Sequence, residues 1–154
     1  MLLLKPTALA VLLLSGSLVS AATAETPVPD AIAAPGESVI LTLHAEGAQV
    51  YDCKADASGK LGWAFREPIA TLMADGKTVG RHYAGPNWEY SDGSAVVGKA
   101  AGNAPGATAN DIPWLKLQAE GGRGQFAAVT VVQRVNTSGG MLAGTCEAVG
   151  QLTA

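Results

Sequence analysis

Basic clusters, histidine pairs and helical periods are all missing from this sequence, and each absence removes a class of function. The ten lysines and arginines are scattered singly among thirteen acids, for a net charge of −3. No basic face is left to neutralise phosphates, so nucleic acid is not an expected partner. The two histidines, His44 and His82, are far apart in the chain. With no Cys/His cluster and no H-E-x-x-H, no metal and no cofactor is expected. The stretch "DCKAD", Asp52 to Asp56, lacks the Gly and Glu positions of a calcium loop. No G-x-S-x-G elbow occurs either. Cysteine is limited to Cys53 and Cys146, without CxxC spacing. In an oxidising compartment such a pair is most simply one structural disulfide.

What is present begins with the leader "MLLLKPTALAVLLLSGSLVSAATAETPVPD". Lys5, an apolar run of about a dozen residues and the pattern Ala22-Thr23-Ala24 together read as a cleaved signal peptide over residues 1–24. The run is shorter than the roughly 20 residues of a spanning helix, and Ser15, Ser17 and Ser20 dilute it. The expected product is secreted or periplasmic, with no stable membrane insertion after cleavage. It is one unit more negative than the whole chain, because Lys5 leaves with the leader. About 130 residues remain, enough for one domain with a core and too few for two ordinary ones.

Residues 25–37 form a Pro- and Ala-rich lead-in whose Pro27, Pro29 and Pro35 bar a helix. From there to residue 154 the pattern is that of a single β-rich domain. Ser38 to His44, with Ile40 the exception, and Leu115 to Glu120 alternate apolar with polar residues, as half-buried strands do. Gln125 to Val135, "QFAAVTVVQRV", is apolar on both faces and reads as a covered central strand. Gly59, Gly76 and Gly93 recur at intervals of seventeen, and Asp75-Gly76 and Asp92-Gly93 are two-residue hairpin signals. The resulting expectation is a meander of short antiparallel hairpins folded into a sandwich or partly closed barrel, with one disulfide. The stretch "GKAAGNAPGATANDIPW" reads as a loop of about fifteen residues, a length that usually marks function or mobility.

The stretch "VGRHYAGPNWEYSDGSAVVGK", Val79 to Lys99, concentrates the chemistry. With two-residue loops, Tyr90 faces Ala95, Glu89 faces Val96 and Trp88 faces Val97, while Thr71 faces Gly80 and Ile69 faces His82. Trp88 and Tyr90 then share one sheet face, which Glu89 leaves. Cross-strand aromatic and β-branched pairs favour a packing role for Trp88. His82 shares its face with Gly80 and Ala84, two small residues that leave space in front of it.

The segments "VYDC", "VGRHYAGPNWEYSDGS", "IPWLKL" and "VVQRVNTSGG", followed by Cys146, resemble the secreted family known as domain of unknown function 3455, found in bacteria and fungi. The resemblance spans most of the chain beyond the leader. It implies export and carries over no activity. Members of that family usually continue past the second cysteine into an aromatic-rich segment with a Val-Pro-Tyr motif, whereas this chain stops at "EAVGQLTA". Two readings stay open: a C-terminal strand is lacking and leaves an unpaired edge, or this member closes its sheet in another way.

A hydrolase needs a base beside an acid and a means to stabilise developing charge. The catalytic candidates are His82, Glu89 and Asp92, with Asp111 a further acid. Both Asp75 and Asp92 already have turn roles, and Glu89 has no carboxylate partner that would make a glycosidase pair. Ligand-binding candidates are His82, Trp88, Tyr90 and Trp114. Aromatic faces in an acidic exported β domain suit a carbohydrate or cell-envelope polymer, although Trp63, Trp88 and Trp114 also serve as core. Arg134 is placed to pair with an internal acid. The favoured reading is a noncatalytic binding or structural module of the periplasm or cell exterior. A small hydrolase using His82 as general base is the alternative.

Overall fold

The computed structural model describes residues 27–154; the leader lies outside them. These residues form one antiparallel sheet of eight strands and, among them, no α-helix. The strands are β1 His44–Ala55, β2 Leu61–Ala74, β3 Lys77–Tyr83, β4 Asn87–Tyr90, β5 Ala95–Ala104, β6 Trp114–Arg123, β7 Val131–Arg134 and β8 Leu152–Thr153. Their spatial order is β7-β6-β5-β4-β3-β2-β1-β8, an up-and-down meander with the last short strand laid beside the first. The all-β expectation and the disulfide are both borne out. The arrangement is a single sheet rather than a sandwich, and it does not close into a barrel.

Turn chemistry sets the register. At Asp75-Gly76 both residues have positive φ, 49° and 71°, so the β2–β3 connection is the two-residue turn expected of Asp-Gly. Its register nevertheless differs from expectation, because a bulge between Leu72 and Met73 brings Ala70 opposite His82 and Leu72 opposite Gly80. At Asp92-Gly93 the loop is longer. Gly93 N–H bonds the Tyr90 carbonyl, Gly93 has φ 86°, and the Asp92 carboxylate accepts the Ser94 N–H at 2.8 Å. This is a three-residue loop closed by a left-handed glycine. It moves the pairing by one, so that Trp88 faces Val96 and Glu89 faces Ala95.

Two other expectations are corrected. Ser38 to Leu43 forms no strand, and Val39 stands 82% exposed; alternation makes a strand only where a neighbour supplies hydrogen bonds, and among the described residues this stretch has none. Gln125 to Val135 is not a central strand: a 3-10 turn occupies Gly124–Phe126 and only Val131–Arg134 pairs, at the sheet edge. Gly124, at φ 61°, turns the backbone there, and Gln125 N–H bonds the Ser94 hydroxyl at 2.9 Å. The long loop also shrinks, because β5 runs on to Ala104 and leaves residues 105–113 as the connection.

Both sheet faces carry packing. Ala70, His82, Trp88 and Val96 form one cross-strand row, continued by Leu117, which meets Trp88 at Gly98. A bulge at Ala101 then exchanges the faces of β5. Ala104 and Trp114 consequently pack on the other side, under Ile32 of the lead-in turn Asp30–Ile32. That lead-in is held by Lys116 Nζ to the Ala33 carbonyl at 3.0 Å and Gln133 Nε2 to the Ile32 carbonyl at 2.6 Å.

Residues 137–151 act as a strap between the two ends of the sheet. Near β6, Thr137 Oγ1 donates to the Ile112 carbonyl at 2.5 Å, and Ile112 N–H bonds the Gly139 carbonyl at 2.9 Å. At β1, Tyr51 OH donates to the Gly140 carbonyl at 2.7 Å, and Cys146 is disulfide-bonded to the fully buried Cys53. The sheet is thus curled and tied across its opening by irregular chain.

Candidate functional site

The conspicuous stretch of the sequence is a β3–β4 hairpin. Its loop turns at Gly85, φ 132°, and Asn87 Nδ2 donates to the Ala84 carbonyl at 2.6 Å. This fixes the Asn87 carbonyl, which accepts the His82 Nδ1–H at 2.8 Å. The imidazole lies flat on Trp88, with ring centroids 4.5 Å apart and planes 12° from parallel. The far edge of the indole rests against Gly98, where even a methyl group would come within 3.1 Å of Trp88 Cζ3. His82 is therefore a packed, neutral imidazole. Burial pushes its pKa below the usual 6.5, against the opposing pull of the Asn87 bond, and the charge of Arg134 lowers it further.

The remaining candidates are dispersed. Tyr90 packs edge-on against Phe126, with centroids 4.8 Å apart. Trp114 is only 6% exposed and lies on the opposite side of the sheet from His82, beneath Ile32. Its Nε1 has no hydrogen-bond partner among the described residues. Glu89 also points away from His82. It receives Arg81 Nη2 at 3.0 Å, Tyr83 OH at 2.7 Å and Arg123 Nη2 at 3.5 Å. Those donors, Tyr83 first, hold its carboxyl below the ordinary carboxylate range.

Asp92 is tied to Ser94 N–H and to Gln125 Nε2 at 2.7 Å, and Asp111 to Gly139 N–H and Thr108. Those bonds hold both carboxyls below their usual range as well. Among the described residues no acid stands beside His82 to orient it; its Nδ1 partner is the Asn87 carbonyl. Arg134, expected to meet an acid, instead gives Nε and Nη2 to the Pro113 carbonyl at 3.1 and 2.7 Å. Among the described residues no three His, Cys, Asp or Glu side chains come together as a metal site.

An open groove lies elsewhere on the sheet. It has a volume of about 460 Å³ and lies between the β1–β2 hairpin end and the strap, lined by Trp63, Lys54, Asp56, Lys60 and Thr145 among others. Trp63 is paired opposite Cys53, and its N–H bonds the Gly144 carbonyl at 3.2 Å. Sequence reading placed Trp63 among possible core or ligand aromatics but did not select it. The signal that could have found it is its position across the ladder from a disulfide cysteine.

A family model described as protein of unknown function (DUF3455) matches residues 34–154. No curated protein and no solved structure matches the chain.

Proposed function

We propose that this chain, which belongs to the family of proteins of unknown function DUF3455, is a noncatalytic binding module working outside the cytoplasm. The observation that carries this reading is the commitment of His82. Its Nδ1–H is spent on a backbone carbonyl and its ring face on Trp88. The acids nearest in sequence are bound elsewhere, with pKa values held low, where they are poor proton donors at neutral pH. The disulfide between Cys53 and Cys146 supports an oxidising compartment, as does the leader pattern. Among the described residues no helix is long and apolar enough to cross a membrane.

A hydrolytic alternative draws on one feature. The Asn87 bond leaves His82 Nε2 as the unprotonated nitrogen, and the lowered pKa keeps it so at neutral pH. An experiment separates the two. The oxidised domain is melted against a panel of plant and cell-wall polysaccharides while released reducing ends are assayed. A binding module gives a saturable rise in Tm with one polymer class and leaves the polymer intact, because a ligand that binds only the folded state stabilises it by mass action. Polymer cleavage that is lost in His82→Gln would replace this reading with the hydrolase. A flat panel would leave the domain a structural one.

A further inference from the structure

The groove beside Trp63 has walls that the chain fixes twice over. Lys54 follows Cys53, and Thr145 precedes Cys146, so residues lining opposite sides of the groove are bolted by the same disulfide. Such a site is preorganised and loses little freedom when a ligand enters. It is an open groove of about 460 Å³ rather than an enclosed pocket, a form that leaves room for a polymer to pass.

The lining chemistry narrows the ligand. Trp63 offers part of an indole, a surface on which the C–H face of a sugar ring packs. In the turn that closes the groove, Asp56 Oδ1 accepts Ser58 N–H, Ser58 Oγ–H and Lys60 N–H at 2.8, 2.6 and 3.0 Å. Those bonds hold the carboxyl ionised and still, while Oδ2 has no partner among the described residues and is free to accept a hydroxyl. Lys54 stands 3.5 Å from Asp52, but the Lys60 ammonium has no carboxylate within 4.0 Å among the described residues. An aromatic surface, one free anionic acceptor and one uncommitted cation match a ring with hydroxyls and a carboxylate.

We propose that this groove binds an acidic sugar unit, a pyranose bearing a carboxylate as in a uronic-acid polymer. The assignment rests on the binding reading given above and adds its site and ligand class. Trp63 packs the ring, Asp56 Oδ2 takes a hydroxyl, and Lys60 pairs with the carboxylate.

The test is a titration of the oxidised domain with a galacturonic acid trimer and, separately, a neutral galactose trimer. It follows the three indole N–H signals in two-dimensional NMR spectra. The expected result is saturable binding of the acidic trimer that moves the Trp63 signal and leaves those of Trp88 and Trp114 in place. Lys60→Glu, at an exposed side chain that makes no hydrogen bond among the described residues, should weaken it about tenfold or more. Trp63→Phe should weaken it without unfolding the sheet.

Equal binding of both trimers, indifferent to Lys60→Glu, overturns the acidic class. Binding that moves another indole and ignores both variants overturns the groove while the binding module stands. If neither trimer binds at millimolar concentration, the groove is overturned as well. In that case the polysaccharide melts decide separately whether the domain binds anything.

Discussion

Removing the disulfide is the perturbation whose size the structure defines best. Cys53 and Cys146 are 93 residues apart in sequence, and a cross-link of that span removes loop-closure entropy worth about 4.6 kcal/mol at 25 °C from the unfolded chain. The folded state need not change much. The strap has its own bonds to β1: Cys53 N–H to the Gln151 carbonyl at 2.9 Å, Gly150 N–H to the Cys53 carbonyl at 3.0 Å, and Tyr51 OH to Gly140. The double variant Cys53→Ala/Cys146→Ala suits the purpose, because Cys53 is fully buried and a serine there would hide a hydroxyl. Guanidinium denaturation should show a loss of about 3–5 kcal/mol and a larger m value, since the unlinked chain exposes more surface on unfolding. A loss under about 1 kcal/mol with m unchanged would refute the argument. The unfolded ensemble would then be compact for reasons other than the cross-link.

Three further outcomes follow from single residues. The folded pKa of His82 lies below its ordinary 6.5, so its contribution to stability is complete above that pH and is lost as pH falls through the depressed folded value. Thermal melts should therefore begin to decline below pH 6.5, and His82→Gln should flatten that part of the profile; a decline unaffected by the substitution would show another group at work. Tyr51→Phe removes the bonds from Tyr51 OH to Gly140 and from Leu142 N–H to Tyr51, and should cost about 1 kcal/mol in denaturant titrations. Gly98→Ala places a methyl 3.0 Å from Leu117 Cβ and 3.1 Å from Trp88 Cζ3, and should destabilise by about 1–3 kcal/mol, seen as a lower Tm with a changed Trp88 environment in near-UV circular dichroism.

The fold was legible where chemistry is local. Asp75-Gly76 needs positive φ at both residues and has it; Leu115 to Glu120 alternates and lies in β6. What failed was whatever depends on a neighbour. Ser38 to Leu43 alternates apart from Ile40, yet among the described residues its backbone groups have no strand partner, and its valine and isoleucine stand in solvent. Gln125 to Val135 looked covered on both sides because Phe126 turns in against Tyr90 while Val131 to Arg134 serve an edge. Asp92-Gly93 has the residues of a two-residue turn, but the Asp92 carboxylate reaches Ser94 N–H and Gln125. That contact, made with a residue 33 positions away, accompanies the longer loop and the one-residue shift. The bulge of β5 at Ala101 is equally nonlocal: it lets one strand face His82 with its first half and Ile32 with its second.

The same distinction explains why the candidate groove was missed while His82 drew attention. A cluster close in sequence looks like a site because its residues are seen together, but on a strand neighbours alternate faces, so Trp88 joins His82 inside and Glu89 joins Arg81 and Arg123 outside. Adjacent residues here are sent to opposite faces of the sheet. The groove has the opposite construction. Its two walls, around Lys54 to Ala64 and at Gly144-Thr145, come from distant parts of the chain, and what joins them is a covalent bond already legible in the sequence. A disulfide in a curled, open sheet fixes whatever lies on either side of each cysteine. The residues flanking Cys53 and Cys146 and facing them across the ladder, Lys54, Thr145 and Trp63, are therefore the ones the fold can hold rigidly enough to recognise a ligand.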